Sequence, residues 1–181
     1  MGYCLQLVST LTLVLSSSSA MVHVTDYWPE VAEDLTKVSW SHATNSRAKL
    51  DKALADSTMM IEADVSLGAE NKPIMAHPPA NTSDLSLEQF LESVLASTQS
   101  GEKKGIKLDF KFLGVVEPSL AMLDNLRDKL NIPVWLNADI LKGPGGGGQY
   151  LLHTYCQTAK QNNLIQGEQY MCQPLFIQMN Y

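Results

Sequence analysis

Met59-Met60-Ile61-Glu62-Ala63-Asp64-Val65 decides the fold. The stretch has the composition of a buried strand, yet it carries two carboxylates spaced two apart. Side chains at i and i+2 on a strand share a face. Glu62 and Asp64 therefore lie on one side, and Ile61, Ala63 and Val65 on the other. The same arrangement recurs in Ile106–Phe112, with Asp109 and Lys111 opposite Leu108, Phe110 and Phe112. It recurs again in Val134–Ile140, with Asn137 and Asp139 opposite Leu136, Ala138 and Ile140. One face of these strands is a core face, and the other gathers charge. Dehydrated, unpaired ions cost on the order of several kcal/mol each, so the polar face calls for a counter-ion. A divalent cation together with an anionic substrate meets that need.

Working outward, Lys37–Trp40 forms a first short strand and Ser46–Ala55 a helix, with Leu50 and Leu54 at i and i+4 behind a Ser or Asn cap. Met59–Leu67 is the second strand. A turn over Gly68–Lys72 leads to a short strand, Pro73–Ala76. A helix starting at Ser83 or Asp84 runs to Thr98, with Leu87, Phe90, Leu91, Val94 and Leu95 on one face. Ile106–Phe112 is the third main strand, Pro118–Leu130 a helix, and Ile132–Leu141 the fourth main strand. Alternating strands and helices imply a parallel α/β sheet with crossover helices. Polar residues late in the strands place a site at the sheet's C-terminal edge, as in barrels and in open doubly wound sheets. Four main strands fit either an open sheet or the front half of a barrel.

The 181 residues suit one domain. Net charge is −6 and no basic stripe is visible, which speaks against nucleic-acid binding. Leu5–Leu15 is mostly apolar and leads into Ser16–Ala20, the form of a secretory signal peptide over residues 1–20. It is too short for a spanning helix, and no later stretch is long and apolar enough. Removal of the signal takes Cys4 with it and leaves Cys156 and Cys172, a pair able to form one disulfide after secretion. Asn81-Thr82-Ser83 is a glycosylation acceptor triplet. Residues 21–34 form a lead-in. Beyond residue 142, Gly143–Gly148 reads as a linker, Gln149–Asn162 as a helix, and the rest up to residue 181 has no clear period.

His42 follows the first strand and His77 the short strand after the second. Imidazoles beside carboxylates suit general acid–base chemistry near neutral pH. Glu62, Asp64 and Asp109 are oxygen ligands of the kind Mg²⁺ or Ca²⁺ takes. Lys111 neutralises a phosphate or holds a carboxylate, and Asn137 and Asp139 either meet the substrate or hold a turn.

His42, Glu62-x-Asp64, His77 and Asp109-x-Lys111, in that order, resemble the glycerophosphodiester phosphodiesterase and phospholipase-C-like barrel superfamily. Closer still, Trp40-Ser-His42-Ala-Thr-Asn45, Ile74-Met-Ala-His77-Pro-Pro79, Val116-Glu-Pro-Ser119 and Pro133-Val-Trp-Leu-Asn-Ala-Asp139 resemble the menorin family, a branch related to those barrels. The resemblance implies a (β/α) TIM-type barrel, here incomplete, with about the first four βα units over residues 35–142. It implies metal-dependent phosphodiester chemistry, with His42 and His77 catalytic, Glu62, Asp64 and Asp109 on the metal, and Lys111, Asn137 and Asp139 toward a phosphodiester or other small anion. Ala43 stands where the phosphodiesterase pattern has Arg, so an arginine-held phosphate is not expected. Four further strand–helix units would complete the family's barrel. Their place is taken by a divergent tail over residues 143–181, the mark of a truncated form. The alternative implied by the family is a noncatalytic extracellular cue with a protein partner, of the kind that shapes neuronal branches.

Overall fold

The computed structural model describes residues 22–32, 34–138 and 179–180. The signal-like stretch, Asp139, Ile140, the Gly143–Gly148 run, the expected 149–162 helix and all three cysteines lie outside the described residues. In chain order the elements are α1 Val24–Tyr27, β1 Trp40–Ser41, α2 Arg47–Ala55, β2 Met60–Leu67, β3 Pro73–Met75, α3 Leu87–Gln99, β4 Gly105–Phe110, α4 Leu113–Asn125, β5 Val134–Ala138 and β6 Met179–Asn180.

The strands β1, β2, β4 and β5 are parallel and adjacent in that order. Each new βα unit thus adds on the same side, which is barrel winding and lacks the strand-order reversal of a doubly wound sheet. Curvature agrees. On a flat sheet, three strand spacings would separate β1 from β5 by about 14 Å, yet the rings of Trp40 on β1 and Trp135 on β5 meet at 5.2 Å between centroids. The strands form the opening arc of a (β/α) barrel. β3 and β6 run antiparallel, to β2 and β5 respectively.

Outside the arc, Ile61, Ala63, Val65, Ile106, Leu108, Phe110, Val134 and Leu136 are buried against the three crossover helices. The helices contribute Leu50 and Ala53, then Leu87, Phe90, Leu91 and Val94, then Val115, Val116, Leu120 and Leu123. A second apolar cluster, Val24, Trp28, Val31, Val38 and Met60, sits where β2 begins. It is built mainly from the stretch read as a lead-in. Gly105 is required there, because a Cβ would run into the Met60 sulfur and come within 3.0 Å of the Trp28 ring.

Several boundaries differ from the sequence reading. The first strand is Trp40–Ser41, since Lys37 belongs to a 3₁₀ turn over Leu35–Lys37. α3 starts at Leu87 because Ser86 and Gln89 form a reciprocal capping box, while Asp84 accepts from the Arg47 amide at the start of α2. α4 begins at Leu113, not Pro118. Burial of Val115 and Val116 recruits the extra turn, and the loss of one backbone donor at Pro118 is outweighed. Phe112, expected on the core face, precedes α4 and is exposed. Lys104 is buried and donates to the carbonyls of Ala53, Asp56 and Thr58 at 3.1, 2.6 and 2.9 Å, closing the end of α2.

Candidate metal centre

The strand register sets the site. Asp64 on β2 lies beside Asp109 on β4, and Asp109 lies beside Asn137 on β5. Glu62, two residues back along β2 and on the same face, completes the set. Ligand oxygens of Glu62, Asp64 and Asp109 lie within 4.8 Å of one another. The residues are 3, 3 and 8% exposed. Among the described residues this is the one such group of three.

Lys111, where β4 has ended, turns its ammonium into the cluster. Nζ is 2.9 Å from Asp64 Oδ1 and 2.7 Å from Asp109 Oδ2. Asn45 clamps Asp64 twice: Nδ2 donates to Oδ2 at 2.7 Å, and the Asp64 amide donates back to Asn45 Oδ1 at 2.9 Å. Asn137 Nδ2 donates to Asp109 Oδ1 at 2.8 Å. The Ala43 amide donates to Glu62 Oε2 at 2.6 Å. Ala43 holds a left-handed backbone at φ 51°, which costs an alanine roughly 1 kcal/mol. Its carbonyl accepts from the Asn45 amide at 2.8 Å and Lys49 Nζ at 2.9 Å, so the turn is held from both ends.

Burial pushes the Asp64 carboxyl up, but hydrogen bonds from Lys111 and Asn45 outweigh it. The charge of Lys111 adds to them, as does that of His77 when its ring is protonated, and the group is held below the usual carboxylate value. Burial likewise works against the Lys111 ammonium. Hydrogen bonds and charge from Asp109 and Asp64 prevail and hold it well above the usual lysine value.

The histidines stand at the rim. His42 Nε2 is 3.7 Å from Glu62 Oε2, with its side chain 84% exposed. His77 arrives through the β2–β3 hairpin. β3 doubles back along β2 until the Ala76 amide donates to the Asp64 carbonyl at 3.0 Å, and Ser66 Oγ donates to the Ala76 carbonyl at 2.6 Å. His77 Nδ1 is 2.7 Å from the Pro78 carbonyl. A carbonyl only accepts, so Nδ1 carries the proton and Nε2 holds the lone pair of the neutral ring.

The structure thus gathers Glu62, Asp64, Asp109, Lys111 and Asn137, with His42 and His77 at the edge; Asp139 lies outside the described residues. Both Asn137 and Lys111 bond the carboxylates directly. Asn45 was missed as a site residue. The sequence offers it as a cap for α2 and as the end of the Trp40–Asn45 signature, and Ser46 takes the cap by accepting from the Lys49 amide. The Ala43 amide was out of reach of any side-chain argument.

The donor set fits a hard divalent cation. Three buried carboxylates share one ammonium, and the donors are oxygens of the type Mg²⁺ and Ca²⁺ take.

The arc and its edge-mounted acidic cluster define an α/β protein of (β/α)-barrel winding. Within that class the chain belongs to the menorin family: the model of the Menorin N-terminal domain matches residues 34–161. The human protein FAM151B is 48% identical over 124 residues, which cover 66% of this chain and 43% of that protein. The chain therefore spans less than half the length of this curated relative. The crystal structure of S. officinalis PLC21 aligns at a TM-score of 0.40 and 14% identity, covering 49% of this chain and 13% of that one. At that score nothing is carried from one to the other.

Proposed function

We propose that this menorin-family chain holds a divalent cation, Mg²⁺ or Ca²⁺, on Glu62, Asp64 and Asp109, and acts on a phosphodiester as an exported protein. The observation that supports this most is the set of three buried carboxylates whose oxygens lie within 4.8 Å of one another, with Lys111 the one lysine bonded among them. When bound, the cation would polarise phosphoryl oxygens and offset developing charge. His77 Nε2 takes a proton from the attacking oxygen, while His42 delivers one to the leaving oxygen; the two exchange roles in a return step. Lys111 swings from the aspartates toward the anion, and Asn45 and Asn137 keep those aspartates aimed inward. Asn137 borders the substrate. Export follows from the apolar Leu5–Leu15 stretch and the small residues behind it.

A second reading, a noncatalytic extracellular binding domain with a protein partner, is favoured by the extent to which Lys111, Asn45 and Asn137 already satisfy Asp64 and Asp109. Calorimetric titration of Mg²⁺ and Ca²⁺ into the purified chain, run beside hydrolysis of bis(p-nitrophenyl) phosphate, separates them. The enzyme reading expects cation binding that Glu62→Gln weakens and turnover that His77→Ala abolishes. Binding without turnover selects the second reading. No cation binding, or affinity untouched by Glu62→Gln, rejects the metal centre.

A further inference from the structure

We propose that Asn81 carries an N-linked glycan, added before the chain folds and standing beside the mouth of the acidic cluster; this rests on the export reading above. Asn81-Thr82-Ser83 is the one Asn-x-Ser/Thr triplet in the 181 residues. It lies in irregular backbone between β3 and α3, at the end of a continuous exposed run of Pro79, Ala80, Asn81 and Thr82. Whereas Asn45 and Asn137 direct their amides at aspartates, the Asn81 amide bonds nothing among the described residues. Its nitrogen is open to a large substituent. The loop leads directly from His77, and the Ala80 amide donates to the His77 carbonyl at 3.0 Å, so Asn81 follows a tight turn that begins at the histidine.

The third residue of the triplet sets the timing. Ser83 Oγ donates to the Asn45 carbonyl at 3.1 Å and accepts from the Leu85 amide at 3.1 Å. A transferase that must engage this hydroxyl finds it occupied once the loop has closed on Asn45. Transfer therefore precedes closure. Asn81 Nδ2 forms a bond to the anomeric carbon of a lipid-pyrophosphate-linked oligosaccharide. The bond from that carbon to the phosphate oxygen breaks, the lipid pyrophosphate leaves with the electron pair, and Nδ2 loses one proton. The finished loop then packs Ser83 under the same Asn45 that clamps Asp64.

The test is expression of the full chain in secreting animal cells, with medium and lysate analysed by mobility and peptide mass before and after an amide-cleaving glycosidase. The expected result is a glycosidase-sensitive shift, with Asn81 converted to Asp by the enzyme. The shift is lost in Asn81→Gln and Ser83→Ala and kept in Thr82→Ala and Ser83→Thr. Chain recovered from the medium with Asn81 unmodified overturns the proposal while leaving export intact. Chain confined to the cytosol overturns export, and the glycan with it. A shift that persists in Asn81→Gln overturns the assignment to this residue.

Discussion

Replacing Lys111 with methionine removes the single ammonium from the carboxylate cluster while keeping an unbranched apolar stem. Nζ bonds Asp64 at 2.9 Å and Asp109 at 2.7 Å, and the lysine side chain is 14% exposed against 5 and 11% for its partners. Breaking a buried pair by deleting one partner costs about 3–5 kcal/mol. Residual exposure and the surviving bonds from Asn45 and Asn137 favour the lower end, about 3 kcal/mol. That corresponds to a drop in Tm of roughly 10 °C for a domain of this size. The loss depends on pH. Asp64 has a depressed folded pKa, so its stabilisation is present above its unfolded value of about 3.9 and disappears as pH falls through the folded value. Lys111 has a raised folded pKa, so its share is present below about 10.4 and disappears only in stronger alkali. The deficit of Lys111→Met is therefore full from about pH 5 to 10 and shrinks as the pH falls below about 3.9 and through the depressed Asp64 value. Urea denaturation at pH 7 and at pH 3, with and without Mg²⁺ or Ca²⁺, measures it. Added cation at a hundred times its Kd restores about 2.7 kcal/mol, and Lys111→Arg stays close to wild type. A Lys111→Met chain as stable as wild type at pH 7, or equally weakened at both pH values, refutes the charge argument.

Asn45→Ala removes both arms of the clamp on Asp64 and leaves a buried amide unpaired, for a loss of about 2 kcal/mol in chemical denaturation and weaker cation binding by calorimetry. Lys104→Met leaves three carbonyls at the end of α2 without their donor and lowers stability by about 2–3 kcal/mol, with amide exchange accelerating first in α2. Gly105→Ala forces the Met60 sulfur and Trp28 ring aside against the fixed Pro133 carbonyl, and a thermal melt should register about 1–3 kcal/mol of overpacking.

Much of this site was legible because strand geometry is periodic. Once Glu62 and Asp64 are placed on a strand, the period of two puts them on one face, and the same rule handles Asp109 and Asn137. Register, which brings Asp64 level with Asp109, is a matter of tertiary pairing that no single strand encodes. Loop contributions were harder. Asn45 can cap a helix or clamp a carboxylate, and only the neighbouring Ser46, which takes the cap, decides between the two. The start of α4 was displaced because proline is favoured at a first helical turn, whereas burial of Val115 and Val116 dominates here. The lead-in proved harder still: a four-residue helix carries no readable period, and the reason for Trp28 lies across the fold at Gly105.

Trp28 also bears on where the domain can be cut. The family match opens at residue 34, but Val24, Trp28 and Val31 shield Met60 from below. A shortened chain beginning at that boundary would lack its floor, leaving a wet hollow beneath β2 and β4. Expression designs that preserve residues 22–32 keep the underside of the strands that carry Glu62, Asp64 and Asp109 sealed.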